Sequence, residues 1–187
     1  FESSTRLEVA RFAVEQTLDK ATESASWGLN VGLRVFGDQS AAEKRDCEDT
    51  RLAAAIEWLD PITLKGVLDG LKSRGLCTVG RAMTNCEQDF QRMPSLTHRN
   101  AAIIVLSSRD DCNSDLAASL KSLKQNKLSP DSIAVLGIHL DAKTATDLKV
   151  ILDSLNIPFT NAQNKDEVSE GFNRLFNQFA AIAAPPG

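Results

Sequence analysis

Five polar residues surround one cysteine in the run Asp110-Asp111-Cys112-Asn113-Ser114-Asp115. Side-chain oxygens at that density suit Ca²⁺, a hard cation bound through several oxygen ligands. The run lacks the glycine and the distal glutamate of an EF-hand loop. It also stands directly before a segment with apolar residues at helical spacing. Asn, Ser and Asp in that position cap exposed amides and favour the helix dipole. Capping is therefore the stronger reading of this cluster.

Four cysteines offer a second chemistry: Cys47, Cys77, Cys86 and Cys112. None forms a C-x-x-C pair, and only two histidines accompany them, so the spacing does not support a zinc site. An even number fits disulfides in an oxidising compartment, with four unrelated thiols as the alternative; the pairing stays open. His98 lies in the polar run Thr97-His98-Arg99-Asn100 and reads as a solvated loop residue. His139 follows an apolar strand, where a general base is conceivable and a packed or capping role is plainer. G-x-S-x-G, P-loop and G-x-G-x-x-G patterns are all absent, which leaves hydrolase and nucleotide-binding readings without support. The expectation is a protein that is not an enzyme.

The elements that position these residues follow from periodicity. Thr5 to Glu8 has the form of a capping box, and Leu7, Ala10, Val14, Leu18 and Ala21 then recur at helical spacing. Val31 to Phe36 is a short strand, and residues 37–49 form a polar loop. Arg51 to Ile56 fits strand or helix, because its alanine run favours neither. Asp60-Pro61 starts a helix carrying Leu64, Val67, Leu68 and Leu71, with Gly75 as its stop. Val79 to Met93 is helical and ends at Pro94. Ala101 to Leu106 and Ile133 to Ile138 are continuous apolar runs, the pattern of strands covered on both faces. Helices are expected at 115–123, 144–155 and 166–181, and a weak strand at 157–162. Trp27 and Trp58 suit core or edge packing, and Lys121, Lys124 and Lys127 a solvated helix face.

Strands alternating with helices indicate an α/β fold: a doubly wound, mainly parallel sheet flanked by helices. The length of 187 residues fits one domain, expected over 1–182 with a flexible tail at 183–187. A net charge of −4 without a basic run argues against nucleic acid. No apolar run approaches the roughly 20 residues that span a bilayer. Arg6 and Glu8 interrupt any signal-peptide pattern, and the chain starts at Phe1 rather than Met, as a processed or trimmed chain would.

Several segments in order resemble von Willebrand factor A domains of the secreted bacterial kind. They are Arg6 to Arg11, Val31-Gly32-Leu33-Arg34-Val35-Phe36-Gly37, Cys47-Glu48-Asp49-Thr50, Gly75 to Met83, Ile103 to Ser107, and Ile133 to Ile138. The resemblance implies a Rossmann-like three-layer fold with a Mg²⁺ adhesion site at the top of the sheet. That site is typically built from D-x-S-x-S, a Gly-Gly-Thr loop and an Asp-Gly corner.

This chain departs from the pattern at each corner. Glu2 and Ser4 echo only part of D-x-S, and the strand expected before them is missing, truncated or replaced. Cys77 takes the Thr position, and Thr78 serves only if the loop shifts by one residue. Ser108 takes the Asp position and Arg109 the Gly position, bringing positive charge where a cation would sit. With Asp110 these residues form a relic rim. The resemblance also places Cys47 and Cys112 in top-face loops, where a bridge would fasten the rim; Cys77 and Cys86 are the remaining candidates. The expectation is a metal-free module, extracellular or periplasmic, that binds another protein through loops 38–50, 75–80, 107–114 and 139–144. It neither inserts into a membrane nor carries a cofactor. The alternatives are Mg²⁺-dependent adhesion completed by upstream residues (or Ca²⁺ in its place), and a structural subunit of an envelope or surface complex.

Overall fold

Thr5 and Glu8 open the first helix by exchanging hydrogen bonds. The Glu8 amide donates to Thr5 Oγ1 at 3.2 Å, and the Thr5 amide donates to Glu8 Oε2 at 2.5 Å. This is the capping box in its reciprocal form. The structure is a computed structural model that describes residues 4–23, 29–92, 100–128 and 132–183. Trp27, His98, Met93 and Pro94 lie outside the described residues, as do Glu2 and the tail 184–187. The described chain is mixed α/β with six α-helices, and its residues fall into two compact units.

The first unit lies within 1–29, 101–108 and 130–187. It holds α1 (Arg6–Glu23), β3 (Ala102–Leu106), β4 (Ile133–Ile138), α5 (Ala142–Ser154), β5 (Phe159–Ala162) and α6 (Lys165–Ala183). The three strands form a parallel sheet in the order β3-β4-β5, with Ala102 opposite Ile133 and Val135 opposite Phe159. Every residue of β4 is buried, as its unbroken apolar sequence requires for a central strand covered on both faces. Alternation sends Ala134, Leu136 and Ile138 to one face. There they form a cluster with Val9 and Ala13 of α1 and Val168, Leu175 and Phe179 of α6. Helix α6 packs against β4 and β5, and α5 beside β5.

The buried stripe of α1 differs from the expected one. Val9, Ala13, Thr17 and Ala21 are buried together with Leu18, whereas Leu7, Ala10 and Val14 are only half-buried. Small residues on that stripe let α1 approach α6, the helix it packs against. Thr17 is tolerated there because its hydroxyl donates to the Ala13 carbonyl at 2.9 Å.

The second unit lies within 30–100 and 109–129. Strands β1 (Asn30–Phe36) and β2 (Thr50–Trp58) form an antiparallel pair, with Asn30 opposite Trp58 and Phe36 opposite Thr50. The ambiguous alanine segment is therefore a strand: its partner β1 decides what local propensity left open. Trp58, the last residue of β2, is 60% exposed, which places it at an edge rather than in a core. Helices α2 (Pro61–Asp69), α3 (Val79–Gln91) and α4 (Leu116–Asn126) complete the unit. Asp60 caps α2 through the Ile62 amide, with Pro61 at the first helical position. That helix ends at Asp69, six residues before Gly75, so Gly75 is not its stop.

Arg34 and Asp89 join β1 to α3. Arg34 Nε and Nη2 donate to the two Asp89 oxygens at 2.6 and 2.7 Å, and Nη1 donates to Thr50 Oγ1 at 3.2 Å. The Asp89 side chain is only 3% exposed. A carboxylate this deep persists because a planar guanidinium meets it with two parallel bonds. Helix α4 packs on α3, where Ser122 and Asn126 both donate to Glu87.

Candidate functional site

Three loops of the second unit converge on the start of α3. The first runs from Gly37 to Asp49 and includes a single 3₁₀ turn, Ala42–Lys44. The second is 74–78, and the third is 109–115. Gly37 lets the first two meet: its carbonyl accepts from the Arg74 and Gly75 amides at 3.1 and 2.9 Å. Its φ is +67°, and an added Cβ would stand 2.5 Å from the Leu76 carbonyl oxygen. Only glycine satisfies both demands. Gly80, in the first turn of α3, meets the third loop so closely that a Cβ would lie 2.2 Å from Ser114 Cβ.

Buried or half-buried carboxylates organise the cluster. Asp49, 3% exposed, accepts from the Gln39 and Ser40 amides, the latter at 2.8 Å, and from Gln39 Nε2 at 3.3 Å. Asp110 Oδ2 accepts from the Gly80 amide at 2.9 Å, while Oδ1 accepts from the Cys112 and Ser114 amides and the Ser114 hydroxyl. Asp111 Oδ2 accepts from the Cys77 amide at 2.8 Å, and the Asp111 amide donates back to the Cys77 carbonyl at 2.8 Å. Asp115 then caps α4 through the Ala118 amide. The acidic run thus caps two helices, its own and the distant α3. Its carboxylates bind backbone donors in the place where the chain could have presented them to a cation.

A covalent bond completes the arrangement. Cys47 and Cys112 form a disulfide, joining the first loop to the third across 65 residues of sequence. Cys77 and Cys86, the other candidate pair, are not bridged to each other; both remain thiols. Cys86 lies within α3 and Cys77 before it, the geometry that made their pairing demanding. Burial, with the Asp89 charge adding to it, pushes the Cys86 thiol up to about 12.

The sequence-derived rim residues divide between the two units. Ser4, half-buried before α1, and Ser108, half-buried after β3, belong to the first unit. Cys77, Thr78, Arg109 and Asp110 belong to the second. Cys77 is buried, and Thr78 is fully buried with its hydroxyl donating to the Asp49 carbonyl at 3.0 Å. Arg109 is exposed. Among the described residues no group of three or more His, Cys, Asp or Glu is placed to hold a metal ion. Asp49 and Asp111 are the organising residues that the motif comparison missed. Asp49 stood within the Cys47 to Thr50 match, and Asp111 within the acidic run.

The outer surface of these loops is polar and mixed in charge. Ala41 to Arg45, Glu48, Arg81, Arg109 and Asn113 are exposed, and Arg81 pairs with Glu48. Below them Arg51 meets Asp38 at 2.6 Å; that hydrogen bond raises the guanidinium above its ordinary value despite partial burial. Asp46 is held below the ordinary carboxylate range, first by the Ser40 hydroxyl at 2.7 Å and then by the Glu48 amide. The loop 139–144 belongs to the first unit. There His139 is exposed at φ +48°, and Asn161 holds the Leu140 amide and carbonyl at 3.0 Å each. No helix among the described residues is long and apolar enough to cross a membrane. No protein-family model and no curated protein matches the chain.

Proposed function

We propose that this chain is a non-catalytic protein-binding module of von Willebrand factor A-like, doubly wound type, working outside the cytoplasm and without a bound metal. One observation carries the reading: an exposed loop surface of mixed charge stands on a base whose carboxylates already accept backbone amides and whose loops are joined by Cys47–Cys112. A surface ordered before binding loses little freedom on association, which favours recognition by shape and polar contact. Arg109 beside Ser108 adds positive charge where the family's cation would lie, and Thr78 spends its hydroxyl on Asp49. The order of motifs along the chain, the parallel sheet flanked by helices and the bridge between the two loops support the family reading.

Two measurements test it. Titration of the ¹⁵N-labelled protein with Mn²⁺ is expected to give no saturable broadening at Ser4, Thr78 or Ser108. Saturable broadening at any one of these residues would return the module to metal-dependent adhesion. Photo-crosslinkers at Arg45, Arg81 and Val150, used in the protein's own extracellular fraction, are expected to capture one common partner from Arg45 and Arg81 but not from Val150 on α5. Capture from Val150 alone would move recognition off the loops.

A further inference from the structure

We propose that Cys47–Cys112 is a reducible lock on the start of α3, so that the loop surface is ordered only while the bond is oxidised. For what the surface recognises this rests on the function proposed above; the lock itself rests on the loops alone. Residues from both bonded loops hold one short stretch, Cys77 to Gly80, each at its own groups. From the first loop, the Asp49 carbonyl accepts the Thr78 hydroxyl. From the third, Asp110 accepts the Gly80 amide, and Asp111 binds Cys77 through its carboxylate and its own amide. Cys47 stands two residues before Asp49, and Cys112 directly after Asp111, so the S–S bond ties the two grips together.

The bond can be reached. Cys47 is exposed and Cys112 half-buried, while Cys77 beneath them is buried. A reducing dithiol would attack Cys47 Sγ as a thiolate, breaking the S–S bond and releasing Cys112 as a thiolate that takes up a proton. The dithiol's second sulfur would then displace Cys47, leaving two thiols on the protein and a disulfide on the reductant, two electrons having passed. With the tie broken, the two loops hold the start of α3 through separate hydrogen bonds and the exposed Arg81–Glu48 pair, which water can replace. The buried Cys77 thiol then becomes reachable whenever the third loop swings away. Cys86, half-buried within α3 beside the Arg34–Asp89 pair, keeps the exposure it already has.

Thiol labelling reads this out directly. Protein with the bond intact, protein reduced with tris(2-carboxyethyl)phosphine, and the Cys47→Ser/Cys112→Ser variant are pulsed with N-ethylmaleimide and mapped by peptide mass, with amide exchange followed in parallel. Cys77 labelling is expected to rise about tenfold in the reduced protein and the variant, with a matching loss of amide protection at Gly80. Cys86 labelling and the amides of β4 are expected to stay within about twofold. An unchanged Cys77 rate overturns the lock. So does an equal rise at Cys77, Cys86 and the β4 amides, since that is general loosening rather than release of one loop. Either failure leaves the crosslinking test of the oxidised surface intact, so the two readings fail separately.

Discussion

Both units bury apolar residues, but they differ in what else fastens their separate segments. The first buries a contiguous apolar cluster on a parallel sheet, with Leu136 and Ile138 at 0% and 1% exposure and Val9 and Val168 packed against the same strand. The second also buries apolar residues on α2, α3 and α4, and adds polar and covalent connections between separate segments: Arg34 with Asp89, Asp49 with residues 39 and 40, Asp110 and Asp111 with α3, and Cys47 with Cys112. Apolar packing is non-directional and tolerates repacking. Hydrogen-bonded carboxylates and a disulfide specify where each loop residue stands. The recognition surface proposed above would gain from the second kind of cohesion, because it fixes each loop residue in place.

The contrast can be broken by substitution. Asp89→Ala leaves Arg34 without its carboxylate and is expected to cost about 3–5 kcal/mol, measured by guanidinium unfolding with residue-level exchange on β1 and α3. The double change Arg34→Met/Asp89→Leu should recover most of that loss. If it is as damaging as the single change, the loss comes from the missing bonds between β1 and α3 and not from an unpaired buried Arg34. Leu136→Ala removes an interior side chain from the apolar cluster and is expected to cost about 2–5 kcal/mol. Leu136→Met should cost well under half as much. Equal losses would mean that shape, not burial, governs the first unit too.

The helix caps should separate the units less. Thr5→Ala in the first and Asp115→Ala in the second each remove one capping acceptor and are expected to cost about 1 kcal/mol. A loss several times larger at Asp115 alone would show that the acidic run acts as one cooperative network. Acidification should have the smallest effect and should touch both units. Glu8 and Asp141 in the first, and Asp46 and Asp60 in the second, are held below their ordinary values by hydrogen bonds. Their contribution is complete above the unfolded carboxylate range, about pH 4, and is lost as pH falls through the lower folded values. Thermal unfolding is therefore expected to be flat from neutrality to about pH 5 and to decline below about pH 4. A decline that begins well above pH 5 would mean that these four carboxylates do not set the acid limit.

Local signals were legible where a few neighbouring residues decide the outcome. The capping box at Thr5 and Glu8, the Asp60-Pro61 start and the unbroken run Ile133 to Ile138 all formed as read. The Arg51 to Ile56 segment was undecided because alanine is indifferent; β1, antiparallel beside it, made it a strand. Helix α1 hides Thr17 and Ala13 rather than Leu7 and Val14, because its packing partner α6 lies more than 140 residues further along the chain. The bridge at Cys47 and Cys112 followed from placing both in loops of one family pattern, whereas Cys77 and Cys86 stayed apart.

What the sequence determined by itself was the menu of elements and the supply of chemistry: where helices start, which apolar runs are strands, and which carboxylates and thiols are present. Each depends on interactions over three or four residues, or on a strand's own pattern. That β4 is central and β3 at the edge of its sheet was decided by the fold. The tertiary structure decided how that chemistry is used. It turned Asp110 and Asp111 toward the amides of α3, set Thr78 on the Asp49 carbonyl, and joined Cys47 to Cys112 while leaving Cys77 buried. Those choices pair residues some 30 to 65 positions apart, and no local preference of the backbone can encode which of two distant donors a carboxylate will meet.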